Sequence, residues 1–156
     1  LAEELQALDQ RIAATDQQME RVFEADEACQ RLAQLPGIGP LTATALVAAV
    51  GDATEFKNGR QFAAWLGLVP RQHSTGGKTT LLGMTKRGNC YLRTLLIHGA
   101  RAVLRVVDRK TDTRSRWLQG VKARRGMNCA SVAQANKTAR VAWALLAKGD
   151  RDRRAA

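Results

Sequence analysis

Carboxylates are scarce where this chain is most cationic. Between Arg71 and Arg125 fourteen Lys and Arg residues are opposed only by Asp108 and Asp112. A DNA-cleaving metal site needs clustered Asp or Glu ligands. From Leu35 to Lys148 the acids are Asp52, Glu55, Asp108 and Asp112, scattered without convergent spacing, so no metal centre is expected in this chain. A Walker loop, an HExxH helix and zinc-type spacing are also missing. Cys29, Cys90 and Cys129 are odd in number and far apart, which predicts free thiols in a reducing compartment. Aromatics make up only 4% of the chain. The core must then be built from Leu, Val and Ala, which favours helix-on-helix packing over a β-sandwich. No apolar run is long enough to cross a bilayer, and the acidic, amphipathic start is no signal peptide. The chain opens on a heptad without an initiator Met, which is read as a fragment of something longer.

What is present is charge, unevenly placed. The 156 residues suffice for one compact domain and an appendage, and 45% are hydrophobic, enough for a real core. The net charge is +11, yet residues 1–34 carry eight acids against three bases. The remaining residues carry twenty-two bases against six acids. Such segregation points to a polyanionic partner. Nucleic acid is favoured over a membrane, because no basic helix has a large apolar face.

Leu1, Leu5, Leu8, Ile12, Thr15, Met19 and Val22 follow alternating steps of four and three. This is an a/d seam of about three heptads, read as a coiled-coil arm over residues 1–30. It implies a homo-oligomer or an antiparallel partner helix; the alternative is a helix folded back on its own domain. Pro36-Gly37-Ile38-Gly39-Pro40 then interrupts helical spacing. Two short helices joined by this G-I-G turn resemble a helix-hairpin-helix over residues 31–51. Gly37, Gly39 and the following helix N-terminus would there hold a phosphate oxygen. The alternative is a packing corner that uses glycine for closeness. Further helices are expected at 60–66, at about 90–107 capped by Asn89, at 111–125, and from Ser131 to Lys148. On the helix from Cys90, Leu92, Leu96, Gly99, Val103 and Val106 form the core line, with Arg101 opposite and His98 and Arg105 beside it. Gly126-Met127-Asn128 breaks the chain between the last two helices, and residues 149–156 form a frayed tail. The fold class is all-α: a coiled-coil arm and a compact basic helical domain over residues 31–148.

The stretch VPRQHSTGGKTTLLGMTKRGNCYLRT, from Val69 to Thr94, is read as an exposed functional loop. Gly76-Gly77 is a strong turn signal, compatible with a small β-hairpin over residues 70–84. Ser74 is a weak nucleophile unless a base, a cationic site or a metal activates it. Arg71, His73, Lys78, Lys86 and Arg87 are near in sequence and could neutralise a phosphate's developing charge. Lys78, Lys86, Arg87 and Arg93 read as phosphate clamps, which Arg101 and Arg105 extend. His73 should point away from Ser74 in an extended segment, which favours phosphate contact or packing over a general base. From spacing alone, Ser74-Thr75-Gly76-Gly77 is better explained as turn chemistry than as a catalytic site.

The strings LPGIGPLTATALVAAVGD, QFAAWLGLVPRQHSTGGK, GMTKRGNCYLRTLLIHGARAV, DTRSRWLQGVKARRG and ANKTARVAWALL resemble the C-terminal half of bacterial insertion-sequence transposases of the DEDD-plus-serine type. These are recombinases guided by a bridge RNA. The resemblance runs from about Leu35 to Leu146, and the arm resembles the segment preceding that domain. It implies that Ser74 is a nucleophile that becomes covalently joined to DNA, with Gly76, Gly77 and Lys78 completing its string. It also implies DNA and a guide RNA as partners, and a bacterial, cytoplasmic, nucleoid-associated setting. In the family a resolvase-like domain supplies four acidic ligands, and with them Mg2+. That domain is absent here, so this chain has no cofactor of its own and should be inactive unaided. The alternative is a non-catalytic module for nucleic-acid binding and dimerisation.

Overall fold

A computed structural model describes the backbone of residues 1–155 and the side chains of residues 1–149. The fold is mainly helical with one two-stranded hairpin. Its order is α1 (Ala2–Ala25), α2 (Glu27–Ala33), α3 (Pro40–Val50), α4 (Gly59–Trp65), β1 (Pro70–Thr75), β2 (Lys78–Met84), α5 (Cys90–Val106) and α6 (Thr113–Ala155). Single 3-10 turns follow α3, at Ala53–Glu55, and α5, at Val107–Arg109.

Short polar side chains start most of the helices. Asp26 ends α1 and caps α2, accepting from the Ala28 and Cys29 amides at 2.7 and 3.2 Å. Asn58 caps α4, Asn89 caps α5, and Asp112 accepts from the first amides of α6. Each satisfies amides that the helix itself leaves without partners.

The core lies where α2, α3, α4, α5 and the C-terminal half of α6 meet. Leu32, Leu46, Phe62, Leu66, Leu92 and Leu96 pack there against Ala135, Ala139 and Ala142. The alanine face of α6 lets its neighbours approach closely. Phe56, Phe62 and Trp65 form an aromatic cluster with centroids 5.1–5.7 Å apart. A second cluster, Leu104, Val107, Leu118 and Ala130, ties the end of α5 to the start of α6.

Several expectations change here. The core line of α5 runs through Leu92, Leu96, Ala100 and Leu104, with Val107 just beyond, while Val106 is exposed. Gly126, at φ +78°, breaks α6 where a break was expected, but the helix resumes at once. Ser131 is therefore no N-cap: it lies inside the helix, and its hydroxyl donates to the Met127 carbonyl. The helix runs on through the expected tail to Ala155, and Ala156 lies outside the described residues. The seam of α1 stays uncovered at Leu1, Leu5, Leu8 and Ile12, and burial begins only at Met19 and Phe23. The three cysteines are unpaired; burial, then the nearby Asp26 carboxylate, push the Cys29 thiol up. Among the described residues no helix is long and apolar enough to cross a membrane.

Candidate nucleic-acid interface

The hairpin stands clear of the domain: every residue from Pro70 to Gly83 is exposed. Gly76 and Gly77 take φ +56° and +78°, the double positive φ that a two-residue turn needs between twisted antiparallel strands. Ser74 faces Thr79 across the ladder, and His73 faces Thr80. The pairs Pro70–Met84 and Gln72–Leu81 frame a bulge at Leu82 and Gly83. Strand alternation puts Gln72, Ser74 and Thr79 on one face and Arg71, His73 and Thr75 on the other. Gln72 Nε2 donates to Ser74 Oγ at 2.8 Å, so Gln72 is the hydroxyl's neighbour and His73 is not. An amide that donates cannot take the serine's proton. The string Q-H-S held this contact in its i, i+2 spacing.

Below the hairpin two chain segments cross almost without clearance. The Thr85 amide donates to the Val69 carbonyl at 2.9 Å, and the Lys86 amide to the Gly67 carbonyl at 3.3 Å. A Cβ at Gly67 would collide with the Arg87 carbonyl, and one at Gly88 with the Trp65 carbonyl. Lys86 is held at φ +57°, a conformation non-glycine residues seldom adopt. Arg93 closes this crossing from beneath and departs from its expected role. It is only 8% exposed, and Nη1 donates to the carbonyls of Leu66 (3.1 Å) and Arg87 (3.5 Å). Arg93 is thus a strut inside the fold rather than a phosphate clamp, because its first-turn position on α5 points it at converging backbone.

Arg71, His73, Lys78, Lys86 and Arg87 are all exposed on the hairpin or its base. Arg101 and Arg105 are exposed too, but Arg101 lies about 18 Å along the axis from the Asn89 cap. Its Nη2 donates to Asn128 Oδ1 at 3.5 Å, so it faces α6 rather than the hairpin. Arg114 is half-buried and bridges to Gln134 and Thr138; burial lowers its pKa, which the nearby Asp112 partly opposes. In the α2–α3 turn the two glycines part company. Gly37, at φ +91°, lies against the Gly99 backbone, where a Cβ would stand 2.8 Å from the carbonyl oxygen. Gly39 is exposed and precedes α3 in extended backbone, with Pro40 behind it. Among the described residues no three His, Cys, Asp or Glu side chains converge as metal ligands.

Sequence reasoning missed one aromatic feature. Trp117, on α6, is 37% exposed, with the Lys137 ammonium 4.5 Å from its ring centroid. No signal in the heptad or strand patterns separates it from a core tryptophan.

Together these features define a mainly helical, strongly basic domain that presents hydroxyls and cations on a projecting hairpin. Residues 29–116, more than half of the chain, match the Transposase IS116/IS110/IS902 family, and the chain belongs to that family. It is 57% identical over 95% of its length to a probable family 20 transposase of Pseudomonas aeruginosa, covering 44% of that protein. It is 53% identical over 93% of its length to the transposase for insertion sequence element IS1111A of Coxiella burnetii, covering 40%. It is also 39% identical over 91% of its length to the IS1328 transposase of Yersinia enterocolitica, covering 42%. The chain thus spans about two fifths of the length of these curated relatives.

Proposed function

We propose that this chain is the DNA-binding, serine-bearing portion of an insertion-sequence transposase. In this reading Ser74 Oγ attacks a DNA phosphorus, an Oγ–P bond forms, and one strand is released as its P–O ester bond breaks. The departing oxygen ends up with a proton, and the phosphoserine link conserves the ester for rejoining. The observation that carries the reading is the exposed hydroxyl of Ser74 on a hairpin that also bears exposed cations, Arg71 and Lys78 on the opposite face and Lys86 and Arg87 at its base, which a phosphate chain wrapping the hairpin would meet. Family membership supports it.

No carboxylate or imidazole hydrogen-bonds Ser74 Oγ among the described residues. Among the described residues no three His, Cys, Asp or Glu side chains converge to hold a metal ion, and in this reading activation comes from acidic groups outside this chain. The chain alone binds DNA but neither cleaves nor joins it. Exposed Gly39 at the α3 N-terminus remains a backbone contact for phosphate in a helix-hairpin-helix, and a guide RNA would add a second polyanion to the same basic surface. The uncovered seam of Leu1, Leu5, Leu8 and Ile12 favours pairing between copies through α1.

Ser74→Ala, placed in a polypeptide of the relatives' full length, tests the central claim, with Thr75→Ala as control. Loss of recombination and of the phosphoserine adduct, with DNA binding intact, is expected of the first only. Unchanged recombination leaves a binding and dimerisation module, the second reading, which the lack of a base beside Ser74 favours.

A further inference from the structure

A groove opens between the base of the hairpin and α6. Its volume is about 1240 Å3, beyond the ~300–1,000 Å3 that encloses one small molecule, so an extended occupant suits it. Pro70, Leu82 and Met84 form one wall, and the C-terminal half of α6 forms the other. Arg60, Lys137 and Arg140 line it, and no carboxylate does among the described residues. Asn136 also lines it, and donates through Nδ2 to the Leu68 carbonyl at 2.9 Å, which leaves Oδ1 as an acceptor. Trp117 completes the lining, half-exposed, with the Lys137 ammonium over its ring.

We propose that this groove holds an unpaired stretch of DNA, one base stacked on Trp117 and the flanking phosphates on Arg60, Lys137 and Arg140. That the strand leads toward Ser74 rests on the nucleophile reading above. An aromatic platform beside cations and amides is the chemistry that retains unpaired strands, since every base has a stacking face. Lys137 makes the exchange inexpensive: a base replaces it over the indole as the ammonium moves to a phosphate. Continuity with the hairpin favours the DNA strand over other occupants, because Pro70 and Met84 are both the groove's wall and the foot of the strands that carry Ser74. Strand transfer requires a released end that has left its duplex, and this groove gives that end a place to lie.

The test uses this 156-residue chain and a fluorescein-labelled 12-nucleotide single strand of mixed sequence, beside an abasic strand of equal length. The abasic strand is expected to bind about tenfold more weakly. Trp117→Ala loses about tenfold for the normal strand and nothing for the abasic one, while Trp117→Phe stays near wild type. Equal binding of the two strands by the wild-type chain overturns the proposal without relying on any variant. Unchanged affinity in a folded Trp117→Ala chain does the same. Tighter binding of the matching ribo-oligonucleotide makes RNA the occupant and overturns the DNA assignment. Loss of dimer mass by light scattering in Trp117→Ala, with strand affinity intact, makes a second copy the occupant. If the Trp117 effects hold while Ser74→Ala leaves recombination unchanged in the full-length polypeptide, the nucleophile reading falls and the strand site stands. The reverse pattern removes the strand site alone.

Discussion

Gly37 and Gly39 sit in the turn between α2 and α3, and Gly76 and Gly77 in the turn between β1 and β2. In sequence the two turns look alike: each pairs glycines beside a string that reads as a phosphate contact. In the fold Gly37 lies against the Gly99 backbone, whereas Gly76 and Gly77 have open space where side chains would be. The first turn is a joint that sets how closely α5 can approach. The second is a tip whose glycines serve only the backbone angles of a tight reversal. A glycine pair therefore marks a turn, with positive φ at Gly37, Gly76 and Gly77 but not at Gly39, and says nothing about whether the turn is packed or presented.

Alanine at the two turns should separate these roles most sharply. Gly37→Ala combines positive-φ strain with a collision against the Gly99 carbonyl, which a packed neighbour relieves only by moving. A loss of about 3 kcal/mol in urea unfolding is expected. Gly77→Ala has strain alone and should cost about 1 kcal/mol. Equal losses at both would mean that the α2–α3 turn is not a packing joint. The next effect belongs to Arg93, which stiffens the hairpin from below. Arg93→Met leaves the Leu66 and Arg87 carbonyls without their charged donor, at a cost of about 2 kcal/mol. Amide exchange should quicken at Thr85 and Lys86 while α3 stays protected. Weakened DNA binding without lost stability would instead restore Arg93 as a phosphate contact.

How much of this was legible depends on the range over which each signal acts. Asn89 as a cap, Gly76-Gly77 as a turn and Gly126 as a break are decided within a few residues, and all three stand in the structure. The hydroxyl-bearing hairpin was legible for the same reason. Arg93 was not, because its acceptors lie 27 and 6 residues away and meet it only once two loops cross. Leu104 and Val107 were displaced from the expected core line because the partner surface, Leu118 and Ala130, sits on the far side of a loop. Ser131 reads as a cap only if the helix pauses after Gly126, and it does not. The groove, assembled from α4, the hairpin and both halves of α6, leaves no trace at the spacing of any single element.

The turn before α6 supplies a case governed by charge rather than by shape. Hydrogen bonds from the Ser115 hydroxyl and amide hold the Asp112 carboxyl below its ordinary range. A depressed carboxylate stabilises the fold above its unfolded pKa, and the contribution is lost as pH falls through the folded value. Asp112→Asn should therefore melt below wild type near neutrality, with the gap narrowing below about pH 4. Melting temperatures of the two chains against pH decide it; a gap that stays constant to low pH would make Asp112 a neutral cap.

The smallest effect returns to the hairpin tip and sharpens the contrast from the other side. If Gly76 serves only its φ of +56°, asparagine, the side chain that best tolerates that angle, should replace it at almost no cost. Asn-Gly is a preferred pair in this kind of turn, so Gly76→Asn should alter stability by less than about 0.5 kcal/mol. Its effect on DNA affinity is then informative because the fold is held constant. A tip that only reverses the chain leaves affinity for duplex DNA unchanged. A tip whose bare backbone lies against a phosphate loses affinity when an amide side chain intervenes, and the two turns would then differ in packing but agree in what they touch. Fluorescence titration of the Gly76→Asn chain with duplex DNA at fixed salt distinguishes these outcomes.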